Sequence, residues 1–212
     1  MMGTGHLGKT SLFLGAALVG AGQAWAGGQE FDFKDPKSVN SIVFLVDSPL
    51  EPIVGLGSGI EGTVKFDPSE PKSISGSIKV DAATLHTDNK SMKSGIHGSD
   101  WLDVKKHPSI EFKIKEVKEA KKEKDNAWEL QVVGDFTCKG VTKPLTVPVK
   151  LNYLKDKLGS RMQGKNGDLL VVRSEFSIKR KDFQIKPDMD GEIVGDSIEL
   201  RVMIVGASPK KS

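Results

Sequence analysis

The chain has 212 residues, of which 37% are hydrophobic and 28% charged, and its formal net charge is +3. This length is sufficient for one domain with a substantial core, and the near balance of charge gives no reason to expect nucleic acid as a partner. The single cysteine, Cys138, excludes an internal disulfide, so we expect a buried small residue and a fold stabilised by its core.

Residues 1–26 have the pattern of a secretory signal peptide. Lys9 precedes an apolar run from Leu12 to Ala21, and Ala24-Trp25-Ala26 is a small–bulky–small sequence typical of signal-peptidase cleavage. A membrane anchor or a buried helix is the alternative, but a run of about ten residues is half of what a bilayer span needs. We therefore predict export to the periplasm or the medium after cleavage near Ala26, no transmembrane anchor, and a single mature domain over residues 27–212.

The mature sequence alternates between apolar and polar residues in many short segments, which is the pattern of antiparallel strands with one dry face. The predicted strands are residues 41–47, 59–66, 73–80, 110–115, 128–136, 145–151, 174–178 and 198–204. Eight such strands could form a sandwich or a closed barrel. We favour an all-β, eight-stranded antiparallel barrel, because closure removes exposed sheet edges and leaves room for one ligand.

Residues 88–106 interrupt the strand pattern between the third and fourth predicted strands. Met92, Trp101 and Leu102 are apolar there, and Ser99 or Asp100 could cap a short helix. We predict a short helical lid segment at one mouth of the barrel.

Motifs of catalysis or metal binding are weak. Residues 57–62 read G-S-G-I-E-G, but they lead into a strand rather than a helix, so we interpret them as a turn and not a dinucleotide site. His86, His97 and His107 have no close histidine partner in sequence, and the acidic residues 188–192 do not form a calcium loop. The sequence also has no G-x-S-x-G and no H-E-x-x-H. We therefore expect no enzyme activity, no cofactor and no metal.

Four motifs, in order, resemble the YceI-like family. They are D-W-L-D-V at 100–104 with H-P-S-I-E-F at 107–112, V-G-D-F-T-C-K-G-V-T-K-P at 133–144, I-K-R-K-D-F at 178–183 and G-D-S-I at 195–198. The resemblance covers about residues 31 to 206. It implies a lipocalin-like, eight-stranded barrel in a periplasmic or secreted, non-enzymatic protein that holds a polyisoprenoid or similar amphiphilic chain. Three places depart from the family pattern: Asn40-Ser41 replaces His-Ser, Lys93-Ser94 replaces Arg-Asp, and Gln184 replaces a frequent Gly.

The expected function is carriage of a polyisoprenoid or similar long-chain lipid inside the barrel. A ligand-free structural or stress protein and, less favoured, a hydrolase or cyclase on the same barrel are the alternatives, and a homodimer is an assembly that the sequence leaves open. Arg180 is a candidate for head-group contact or for a place at the barrel end. The candidate lining residues come from the apolar faces and the lid: Phe44, Ile78, Met92, Trp101, Leu102, Phe112, Leu130, Val132, Phe136, Val147, Phe176, Ile178, Leu200 and Val202.

Overall fold

The computed structural model describes Met1 and residues 28–210. The predicted signal peptide lies outside the described residues apart from Met1. Within the described part of the chain, no helix is both long enough and apolar enough to cross a membrane. The strands are β1 (Gln29–Asp32), β2 (Ser41–Val46), β3 (Ile53–Gly57), β4 (Ile60–Phe66), β5 (Ser75–Asp81), β6 (Ser109–Lys124), β7 (Ala127–Cys138), β8 (Val141–Leu154), β9 (Gly167–Lys179) and β10 (Ser197–Pro209), and the helices are α1 (Lys90–His97) and α2 (Leu158–Arg161).

These strands form one closed antiparallel barrel with eight strand positions. From β4 through β5, β6, β7, β8 and β9 to β10, every strand pairs with the next along the chain, and β1 pairs with both β4 and β10 to close the ring. β2 follows β1 along the same side of β10, so the two share one strand position. β3 likewise pairs with β2 and shares the strand position of β4. The predicted eight-stranded barrel is therefore confirmed, while the short segments β1 and β3 were not predicted.

Residues 33–40 separate β1 from β2 and leave a gap in the pairing with β10. The side-chain amide of Asn40 fills this gap in the manner of a peptide group. Its Nδ2 donates to the carbonyls of Phe33 (3.0 Å) and Val205 (3.1 Å), and its Oδ1 accepts from the Val205 N–H (2.9 Å). Asp35 holds the same segment to α2 through an ion pair with Arg161 (2.7 Å). Because buried backbone groups need partners, Asn40 keeps the ring closed where the backbone cannot.

β6 is longer than its neighbour β5. β5 pairs with β6 from Ser109 to Lys113, whereas β7 pairs with β6 as far as Lys124 and does so through three register shifts. The part of β6 beyond β5 reads I-K-E-V-K-E-A-K-K-E-K. Irregular register and dense charge are the features by which natural proteins protect a sheet edge from pairing with another chain.

The barrel has two distinct ends. The lid end consists of the connections at residues 47–52, 82–108, 139–140 and 180–196, and the floor end of those at residues 67–74, 125–126 and 155–166. The predicted lid helix exists as α1, but its predicted cap is wrong. Asn89 caps it, with Oδ1 accepting from the N–H groups of Ser91 and Met92. Ser99 and Asp100 follow the helix instead, in the turns that lead to β6.

Candidate ligand-binding cavity

The barrel contains a cavity of about 200 Å³ whose wall is almost entirely aliphatic and aromatic. Alternation along each strand points every second side chain inward, so that the strands from β2 to β10 all contribute to the wall. Val202 is half-buried although it lies on the inner face, because its side chain borders open space. The interior is thus partly hollow and not a solid core.

All but two of the predicted lining residues border this cavity. Leu130 is 1% exposed and packs in the core at the floor end, and Met92 lies on α1 away from the wall. Whether the remaining residues contact a ligand stays a prediction. Those on the wall are Phe44, Ile78, Trp101, Leu102, Phe112, Val132, Phe136, Val147, Phe176, Ile178, Leu200 and Val202.

The wall carries almost no polar chemistry. Ser174 is the polar side chain on the inner face of β9, and its hydroxyl donates to the Pro148 carbonyl at 2.6 Å. Glu111 contributes to the wall from between two inward residues, but its carboxylate is directed outward, where it lies 4.0 Å from the Lys79 ammonium. Cys138 is also on the wall, and burial raises the pKa of its thiol to about 12. The interior therefore presents no charged group, and its Ser174 hydroxyl is already engaged.

Segment 98–107 covers the cavity at the lid end, with Trp101 and Leu102 on the wall. Asp100 fastens this segment to the loop at 180–196. Its backbone carbonyl accepts from the Lys139 ammonium (2.9 Å) and from the Lys186 N–H (2.9 Å), while its carboxylate pairs with the Lys186 ammonium (2.7 Å). The hydrogen bond from Lys186 lowers the pKa of Asp100, and burial lowers the pKa of Lys139.

Arg180 is fully buried at the lid end and is surrounded by backbone carbonyls. Its Nε donates to Gly195, its Nη1 to Ile185 and Lys186, and its Nη2 to Met189 and Val194. A guanidinium has five N–H donors, so this set uses all of them. Arg180 accordingly has no donor to offer a head group, and its place is the barrel end. Asp182, two residues on, pairs instead with Lys143 at 3.0 Å.

The three histidines in the described part of the chain make separate structural contacts. His86 Nδ1 lies 2.9 Å from the Thr84 carbonyl, His97 Nε2 lies 2.7 Å from the Leu85 carbonyl, and the His107 ring lies against Gly140. Among the described residues no group of three or more His, Cys, Asp or Glu side chains is placed to hold a metal ion.

A family model described as the YceI-like domain matches residues 35–205. The chain belongs to the YceI-like family. Protein YceI of Escherichia coli O157:H7 is 28% identical over 135 residues, and the alignment covers 63% of each protein. The chain thus spans 63% of the length of the curated relatives that it matches.

Two solved structures show the same YceI-like fold. Burkholderia cenocepacia BcnA has a TM-score of 0.61 at 23% identity, over 78% of this chain and 95% of its own. A polyisoprenoid binding domain from Saccharophagus degradans has a TM-score of 0.60 at 8% identity, over 86% of this chain and 99% of its own. At such low identities the likeness establishes the barrel architecture.

The motifs that carry the family resemblance occupy specific places in the YceI-like barrel. Residues 133–144 form the end of β7, the turn at Lys139-Gly140 and the start of β8, as the strand–turn–strand pattern predicts. Residues 178–183 run from β9 into a single 3-10 turn, which Gln184 ends with a φ of 56°. This left-handed conformation explains the frequent glycine of the family, because a residue without Cβ adopts it at no steric cost.

Sequence reasoning missed several cavity residues. Phe33, Leu85 and Ile185 border the cavity from connections outside the strands, where no periodic pattern marks a side chain as inward. On α1, the residue that borders the cavity is Ile96 and not Met92, which lies one helical turn before it. Ile42, Val149 and Ile204, by contrast, follow the same alternation as the predicted residues and could have been included with them.

Proposed function

We propose that this protein is an exported carrier that holds the hydrocarbon chain of a lipid inside its barrel. The observation on which the proposal rests is the barrel cavity, whose wall is almost entirely Phe, Ile, Leu and Val side chains and whose charged residue, Glu111, directs its carboxylate outward. A water molecule finds few hydrogen-bond partners in such a space. Burial of a hydrocarbon chain there contributes about 25 cal/mol per Å² to the free energy of binding, before the costs of binding are subtracted. A long apolar chain is the ligand that matches this wall.

The chemistry of the wall also limits which part of the ligand enters. The Ser174 hydroxyl is already bonded to Pro148, so a polar head group inside the barrel would lose its hydrogen bonds to water without replacement. The head group therefore stays at the mouth or in solvent. A polyisoprenoid or a similar amphiphile fits this division, and the fold shared with a polyisoprenoid binding domain supports the same class.

Binding without catalysis is part of the proposal. Acid–base or nucleophilic chemistry needs a polar group within reach of the reacting atoms. On the cavity wall the nearest to such a group are Ser174, engaged with a carbonyl, and Cys138, whose raised pKa keeps it a thiol at neutral pH. The signal-peptide pattern of residues 1–26 supports delivery of the carrier to the periplasm.

Two tryptophan substitutions test whether the hollow interior carries the ligand. Val202→Trp places an indole ring into the cavity, and we expect it to remove co-purifying lipid with little loss of stability. Leu130→Trp adds the same ring to the close-packed core, where overpacking should cost about 1–3 kcal/mol and leave the cavity open. Native mass spectrometry of protein from its own periplasm reports bound lipid and subunit number, and urea unfolding reports stability.

The outcomes separate the carrier from a solid structural barrel. Lipid on the parent and on Leu130→Trp, but none on Val202→Trp, supports carriage. A parent that never carries lipid, or a Val202→Trp variant that keeps it, would overturn the proposal.

A further inference from the structure

On four strands the cavity stops short of the floor end, although on the side of β5 it reaches Ile74 in the connection 67–74. Its last inward residues toward the floor end are Val64, Leu151, Val172 and Ile204. The next inward residue on each of these strands lies outside the cavity, in the packed half of the barrel: Phe66, Tyr153, Leu170 and Gly206. On these four strands the interior is therefore hollow toward the lid end and filled toward the floor end.

Phe33 lies at the boundary between these halves. Its side chain is fully buried and borders the cavity, and its N–H donates to the Gly62 carbonyl at 3.0 Å. A Cβ at Gly206 would fall 2.6 Å from the Phe33 ring. The ring thus occupies the space that the missing side chain of Gly206 leaves, so Phe33 forms the floor of the cavity on the side of β1 and β10.

We infer that Phe33 sets the length of hydrocarbon chain that the barrel accepts. The inference rests on the proposed function, because a floor matters only if a chain enters from the lid end. A chain that reaches the floor stops against the ring, and any further units remain outside in water. Since each exposed unit loses the burial that drives binding, retention falls off above one chain length.

Shortening the side chain of Phe33 moves the floor deeper. Phe33→Ala removes a phenyl ring, whose six carbon atoms are one more than the five of an isoprene unit. The space that it opens lies above Gly206, in line with the existing cavity. We expect the longest retained chain to grow by about one isoprene unit, since one unit corresponds to the volume removed.

A series of linear polyprenols, each one isoprene unit longer than the last, measures the limit. The parent, Phe33→Ala and the milder Phe33→Leu are incubated with the whole series, and native mass spectrometry identifies the lengths retained. Phe66→Ala is the matched control, because Phe66 is also a fully buried phenylalanine but packs against Trp128 with ring centroids 5.3 Å apart and does not itself border the cavity. Far-UV circular dichroism establishes that each variant is folded.

A longer limit in Phe33→Ala, a smaller or equal change in Phe33→Leu and an unchanged limit in Phe66→Ala support the inference. The same limit in parent and both Phe33 variants, or an equal shift in Phe66→Ala, overturns it while leaving the carrier function intact. A parent that retains no polyprenol of any length overturns the inference together with the proposed function.

Discussion

Replacing Arg180 by methionine should be among the most damaging single changes in the chain. The side chain is 0% exposed, and its five hydrogen bonds hold carbonyls between Ile185 and Gly195 around one point. Methionine keeps most of the volume but offers no donor. Several carbonyls of the loop at 180–196 would then remain buried without a partner.

The magnitude follows from two opposing contributions. Hydrogen bonds from a charged donor contribute about 1.5 kcal/mol each at the low end, so the five together contribute roughly 7–8 kcal/mol. Removing the guanidinium also relieves the desolvation of a buried cation, which is several kcal/mol. We expect a net loss of about 3–5 kcal/mol in the free energy of unfolding, a large share of the 5–15 kcal/mol typical of a domain.

Urea unfolding followed by tryptophan fluorescence measures this loss. Arg201→Met is the matched control, because Arg201 is 59% exposed and lies 3.6 Å from Glu175, an arrangement that contributes about 0–1 kcal/mol. Arg180→Lys, with three donors for the carbonyls, should fall between the two. If Arg180→Met lowers the free energy of unfolding no more than Arg201→Met does, the carbonyls are hydrogen-bonded to water in the variant and the reasoning fails.

Three further predictions concern other parts of the chain. Asn40→Ala leaves the Val205 N–H and carbonyl without partners, so we expect a loss of about 2–3 kcal/mol and faster amide hydrogen exchange at Val205; unchanged exchange there would contradict the bridging role. Burial raises the pKa of Cys138 from 9.0 to about 12, so the unfolded chain loses its thiol proton first, and stability should fall as pH rises above 9.0, by up to about 1.4 kcal/mol per pH unit. Cys138→Ala should lack this contribution, and parallel pH curves for the two proteins would refute it. N-terminal sequencing of the mature protein should begin at or near Gly27, and a mature form that keeps Met1 would exclude the predicted cleavage.

The sequence predicted the barrel because period-two alternation is a local signal. It failed for β1 and β3, whose four and five residues are too few to establish a period. It also placed the helix cap at Ser99 or Asp100, although Asn89 caps α1. Closure of the ring, by contrast, was inferred from the cost of exposed edges and was confirmed.

The sequence could predict which side chains point into the barrel, but not how far along the barrel axis each of them lies. Leu130 and Val132 follow one another on the same face of β7, yet Val132 borders the cavity and Leu130 is packed in the core. Alternation does not distinguish them, because the difference depends on which residues lie opposite. The positions of Phe33 and of the backbone carbonyls around Arg180 depend on how the connections between strands fold. No periodic pattern in the sequence predicts either.

The gap bridged by Asn40 has a consequence for the order in which the barrel is built. Asn40 and its partner Val205 are separated by 165 positions, so β1 can pair with β4 early but meets its other neighbour, β10, only after the last strand has been made. Contacts of such high sequence separation slow folding, and until closure both β1 and β10 present open edges. Under the proposed export the chain emerges with its beginning first, and until the last strand follows, the early strands depend on protection from aggregation. Loss of even the last strand would leave the ring open and deny Asn40 its partner.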